Sequence, residues 1–219
     1  MRIRSFIIAY ALVLAILLFA DRRPGTGQEN RFTKVVDLTE GPNTQARGNI
    51  APSLSGTRII SPAALIPGTW SAGQIPAERL VAPLVAVDVK TSSERTPQIT
   101  LDDIAAWESQ HGMVPQGAVV ALRQNGSAAI RPGQPLPITA EAAQFLLDAR
   151  YVLGFALESS PDLTADRTLA RQLALHGAYV VEDAAHLATI PETGSLVIVA
   201  PAKNKTSAEA AVRLLAMVR

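Results

Sequence analysis

Few side chains in this sequence have the chemistry to act on a substrate. There are three histidines, His111, His176 and His186, and no cysteine. The missing thiols exclude disulfides, thiolate metal sites and cysteine nucleophiles, and let the chain fold in an oxidising compartment without mispairing. His111 and His176 each precede a helix-ending glycine, where the macrodipole favours a cation, so both read as C-terminal caps. His186 follows Tyr179-Val180-Val181-Glu182-Asp183 and reads as a turn histidine, with a ligand or base role as the alternative. Glu182 and Asp183 close an apolar strand, and strand ends are where α/β proteins place sites. Glu182 is therefore the candidate catalytic carboxylate, against a solvated acidic pair as the plain alternative. No Gly-rich phosphate loop, G-x-S-x-G elbow or H-E-x-x-H is present.

The elements that would position these groups can be read from pattern. Residues 33–38 (TKVVDL) form a short strand candidate, and 41–69 read as irregular loops with at most one short strand. Residues 83–89 (PLVAVDV) are a buried strand. Thr100 with Asp103 makes a capping box for a helix ended by Gly112. Ala118 to Leu122 is a strand, and Thr139 caps a helix over 140–149 that turns Phe145, Leu146 and Leu147 to the core. Val152 to Leu157 is a strand, and Thr164 is expected to cap a helix running to His176. Tyr179 to Val181 and Leu196 to Val199 are strands. Strand–helix–strand, repeated three times after residue 83, argues an α/β domain with a mixed or partly parallel sheet. Residues 207–218 have helical composition and a capping serine.

Twenty Lys and Arg against nineteen Asp and Glu leave a net charge of +1, which gives no electrostatic case for nucleic acid or an anionic membrane. Met1 to Arg4 is basic, and Ser5 to Ala20 (SFIIAYALVLAILLFA) is uncharged and almost wholly apolar. This is the layout of a secretory signal peptide, or of an uncleaved anchor at the short end for spanning. The expectation is an exported chain, periplasmic or secreted, that touches membrane only through this segment. Residues 21–32 then form a polar linker, and 33–219, about 190 residues, one domain.

Several stretches resemble the cyclase family that includes kynurenine formamidase. They are VVDLT at 35–39, Gly56-Thr57 with Pro62, Ile75-Pro76, Leu80 to Val85, Gly117 to Val120, Tyr179 to Glu182 with Leu187 and Pro191, and the closing VRLLA at 212–216. The resemblance implies a mixed, barrel-like α/β sheet with helices packed outside, commonly as a dimer or higher homo-oligomer, and it turns 207–218 from helix into strand. It also implies a zinc- or manganese-dependent hydrolase of amides, formamides or lactams of aromatic amines, whose metal polarises the carbonyl and activates a water.

The family marks its metal site with H-x-G-T-H-x-D-x-P-x-H and a later histidine and glutamate. Here Gly56, Thr57 and Pro62 are kept, but Leu54 and Arg58 stand at the two leading histidine positions, Ile60 at the aspartate and Ala64 at the trailing histidine. Ala170 stands at the later histidine, and Glu182 alone remains of the family ligands. Leu, Ile and Ala offer no lone pair and arginine stays protonated, whereas a catalytic zinc wants three protein ligands. The resemblance therefore implies a binding site built on Gly56, Thr57, Arg58 and Glu182, with no cofactor and room for a small aromatic ligand. Arg58 is expected to replace the metal as the counter-charge of Glu182. The alternative is an active arylformamidase-type hydrolase, of the kind used in tryptophan catabolism, with an atypical site and zinc or manganese as in the family.

Overall fold

The computed structural model describes residues 32–41, 56–89, 97–124 and 133–219. The N-terminal apolar segment, the linker up to Arg31 and Leu54 lie outside the described residues. Phe32–Arg219 forms one unit.

Among the described residues, eight strands and four α-helices follow in order: β1 (Lys34–Asp37), β2 (Arg58–Ile60), α1 (Pro62–Leu65), β3 (Val81–Val89), α2 (Leu101–His111), β4 (Val119–Gln124), α3 (Ala140–Ala149), β5 (Gly154–Ala156), α4 (Arg167–Leu175), β6 (Tyr179–Glu182), β7 (Ser195–Pro201) and β8 (Glu209–Val218). Strands β3 to β6 are parallel neighbours joined by α2, α3 and α4. Antiparallel pairing carries the sheet from β3 to β7, from β7 to β8, from β8 to β2 and from β2 back to β6. Seven strands thus close a mixed barrel, and β1 pairs with the end of β8 as an eighth.

Period-two alternation separates two apolar layers. One face of the strands supplies Val85, Val87, Val120, Leu122, Phe155, Val180 and Ile60, which pack with Ile104 and Trp107 of α2, Leu146 and Leu147 of α3, and Leu169 and Leu173 of α4. The other face fills the barrel with Ile59, Leu84, Ala86, Ala121, Ala156, Val181, Val197, Val212 and Leu214. Many interior side chains are small, as a narrow barrel requires.

The helices begin where the caps direct. Thr100 accepts a hydrogen bond from the Asp103 N–H at 3.2 Å, and Asp103 Oδ2 accepts one from the Thr100 N–H at 3.0 Å. Gly112 ends α2 at φ 86°, and Thr139 caps α3 through the Ala142 N–H. Thr164 does not cap α4. Its hydroxyl and N–H are both spent on Asp162 Oδ1, at 2.7 and 2.9 Å. Asp166 caps instead, accepting from the N–H groups of Thr168 and Leu169 at 2.8 and 3.1 Å. A carboxylate facing the positive end of the helix is the better partner there. Phe145 is only half-buried, with the Arg150 guanidinium 4.9 Å over its ring. Residues 209–218 are a strand, against their helical composition, because β8 is held along both edges by β2, β1 and β7.

Candidate functional site

Gly56 sets up the first wall. Its φ of 90° is open to glycine, and a Cβ there would stand 2.7 Å from the Glu40 carbonyl oxygen. The turn delivers Thr57, whose hydroxyl accepts from the Glu40 N–H and donates to the Asp183 carbonyl, both at 2.6 Å. One buried hydroxyl thereby ties the segment after β1, the start of β2 and the end of β6 together.

Arg58 follows, directly opposite Glu182 in the β2–β6 register. Both lie two residues from positions in the helix-facing apolar layer, Ile60 and Val180, so alternation turns them to that face. Arg58 Nη2 donates to Glu182 Oε2 at 2.7 Å and Nε donates to the same oxygen at 3.0 Å. The expected pair is thus formed across segments far apart in sequence. Glu182 is 2% exposed. Burial is the main cause that pushes its carboxyl up to about 7; the Arg58 charge and hydrogen bonds oppose this, while Asp183 and Glu209 add to it.

Sequence reasoning missed the neighbours. Arg58 Nη2 also reaches Ser160 Oγ at 3.4 Å, and Ser160 donates to Asp183 Oδ2 at 2.8 Å. Gln124 Nε2 donates to Ser159 Oγ at 3.0 Å. The ends of β4, β5 and β6 therefore converge on the pair. Serines in a loop carry no periodicity, so nothing in the sequence marked them.

Of the other positions singled out, Ile60 is buried in the apolar layer, Ala170 is half-buried on α4 and Ala64 is exposed on α1. None of these side chains carries a lone pair. Among the described residues no group of three or more His, Asp or Glu could hold a metal ion. The histidines are dispersed: His111 stacks 5.0 Å from Trp107, His176 sits between the Gln172 carbonyl and Asp148, and His186 occupies a left-handed turn at φ 59°.

A second polar centre was also missed. Arg123, 8% exposed, donates to both carboxylate oxygens of Asp88, to Glu192 Oε1 at 2.9 Å and to the Ile190 carbonyl at 2.8 Å. The hydrogen bond from Arg123 holds the Glu192 carboxyl below the usual carboxylate range, and the Asp88 hydrogen bond pushes Arg123 up. Asp88 and Arg123 are register partners in β3 and β4. Opposite charges in adjoining apolar strands were the available signal. A cleft of about 370 Å³ opens beside them, walled by Trp107 and His111.

The description "Putative cyclase" belongs to the family model that matches residues 29–161, more than half of the chain. The chain belongs to the cyclase family. This cyclase-family chain is 28% identical over 192 aligned residues to isatin hydrolase of Roseibium aggregatum, spanning 75% of this chain and 71% of that protein. Its fold matches isatin hydrolase A from Labrenzia aggregata bound to benzyl benzoate, with a TM-score of 0.70, 24% identity and coverage of 91% and 98%. It also matches a solved structure described as a potential metal-dependent hydrolase with cyclase activity, with a TM-score of 0.62, 21% identity and coverage of 85% and 98%. The barrel with outer helices is the fold of these relatives.

Proposed function

We propose that this chain is an exported cyclase-family protein that works without the metal-dependent hydrolysis of its relatives, as a binding or partner subunit within a homo-oligomer. The observation that supports the reading is the use of Glu182. In the family frame this carboxylate is a metal ligand; here its Oε2 accepts two hydrogen bonds from Arg58. The residues at the family's ligand positions do not fit zinc or manganese. Ile60 and Ala170 bring no donor atom, and a guanidinium at position 58 repels a cation where the family frame places a histidine. In this reading Arg58 and Ser160 hold a small aromatic ligand rather than activate a water. Residues 5–20 direct the chain out of the cytoplasm, as a cleaved signal or a retained anchor.

The second reading is an active arylformamidase-like hydrolase of an aromatic amide or lactam. The isatin hydrolase relatives favour it. Two measurements on the purified chain separate the readings. Zinc and manganese content by plasma mass spectrometry should lie far below one equivalent. Isatin and N-formylkynurenine should show no hydrolysis above the uncatalysed rate, with or without added metal. Near-stoichiometric metal, or turnover that disappears in Glu182→Ala, refutes the proposal and establishes the hydrolase.

A further inference from the structure

The Arg123 centre belongs to the other face of the sheet from the Arg58–Glu182 pair. Arg123 falls in alternation with Val119 and Ala121 of the barrel layer. Gln124, next in β4, falls with Val120 and Leu122 of the helix-facing layer and reaches Ser159. Strand β7 pairs with β3 from Val81 to Leu84. Past that point the Ala86 N–H donates to the Glu192 carbonyl. There the cleft of about 370 Å³ opens along β3, between Asp88, Glu192 and α2. Its volume is that of a small-molecule site.

We propose that this cleft binds a small organic cation, a primary amine carried on an apolar body. Two of its carboxylates are held in place from behind. Arg123 Nη2 donates to Asp88 Oδ2 at 3.1 Å and to Glu192 Oε1 at 2.9 Å. The guanidinium is buried, while the Asp88 and Glu192 side chains stay 42% and 43% exposed. Arg123 thus fixes two carboxylates that still offer lone pairs to the cleft, and an ammonium is the partner that gains most from them. A third carboxylate, Asp103, lines the α2 wall, so negative charge exceeds positive and an anion is repelled. The Arg123 hydrogen bond holds Glu192 below the usual carboxylate range, which keeps it ionised at neutral pH. The apolar body meets Trp107 and His111, whose ring centroids lie 5.0 Å apart. Trp107 Nε1 donates to the Ala86 carbonyl at 2.9 Å, so the indole has no donor left to repel a cation. A bare metal ion fits less well, since among the described residues no three His, Asp or Glu are placed to share one. The inference stands whether or not the Arg58–Glu182 site hydrolyses anything.

Calorimetric titration of the purified full chain with 2-phenylethylamine at low salt provides the test. We expect saturable one-to-one binding. Glu192→Gln should weaken it roughly five-fold, the worth of one half-exposed charge pair. Gln110→Arg adds a cation at an exposed position of the cleft wall and should abolish binding; it serves alone where Glu192→Gln fails to fold. The neutral 2-phenylethanol and the anionic 3-phenylpropionate should not bind. No saturation with the amine overturns the proposal. Equal binding of 2-phenylethanol also overturns it, since the cleft would then be indifferent to charge. Binding that survives Gln110→Arg, or that is lost in Arg58→Met with Glu192→Gln unaffected, puts the amine elsewhere and overturns it equally.

Discussion

Breaking the Arg58–Glu182 pair from one side should destabilise the fold by an amount that depends on pH. Glu182 is 2% exposed and accepts from Arg58 at 2.7 and 3.0 Å. Stranding a buried charge typically costs about 3–5 kcal/mol. Protonation caps that cost, because burial already pushes the Glu182 carboxyl up to about 7. The unfolded carboxyl titrates near its ordinary value of about 4.3. The native state therefore holds more protons between about 4.3 and 7, so stability falls as pH rises through that window and levels off above it. A difference of this size is worth about 4 kcal/mol. Without the guanidinium the native carboxyl moves higher still, so Arg58→Met should go on losing stability at a pH where the wild type is flat. Urea unfolding of the wild type, Arg58→Met, Glu182→Gln and the double variant gives the coupling directly. We expect about 3 kcal/mol at pH 8.5 and under about 1 kcal/mol at pH 5.5, where Glu182 is largely protonated. A coupling near zero at pH 8.5, or one that does not change between the two pH values, would refute the reasoning.

Thr57→Val removes a hydroxyl that bridges the Glu40 N–H and the Asp183 carbonyl; it should cost about 1–3 kcal/mol in the same assay. Asp166→Ala should lower stability by about 1 kcal/mol, and Thr164→Ala by well under that, if Asp166 is the cap of α4; equal losses would contradict the assignment. Gly154→Ala would drive a Cβ into the Tyr179 carbonyl oxygen across the β5–β6 pair, and should cost about 3 kcal/mol by thermal melting.

The parallel half of the sheet was legible because β-branched runs between capped helices leave few alternatives. Strands β3, β4 and β6 and helices α2 and α3 lie where the pattern puts them. Barrel closure was not legible from pattern, since it depends on which edges meet rather than on any local preference; the family resemblance supplied it. Strand β8 shows why. Its buried set, Ala210, Val212, Leu214 and Ala216, alternates with Ala211, Arg213 and Leu215. Alanine and leucine on both faces blur the period of two, and tertiary pairing then overrides helical propensity. At α4 the pattern pointed to Thr164 alone; the turn that spends Thr164 on Asp162 leaves the cap to Asp166, two residues on. Glu182 was visible as a strand-end carboxylate, but its partner across the β2–β6 ladder came from the family frame. Ser160 and the Arg123 centre came from the structure alone.

The pairing of β8 with both β7 and β2 has a consequence for the order of folding. The β7–β8 hairpin is local and can form early, whereas β2 meets β8 only after most of the domain has been made and gathered. Such sequence-distant contacts slow folding. Until the seam shuts, β2 and β8 present unpaired edges, ready to join a neighbouring chain. A chain handed across a membrane in an extended state would profit from that delay, since nothing locks before transit. Afterwards the same ten-residue strand is the latch: loosening it would reopen two edges at once and turn a closed barrel into a seed for aggregation.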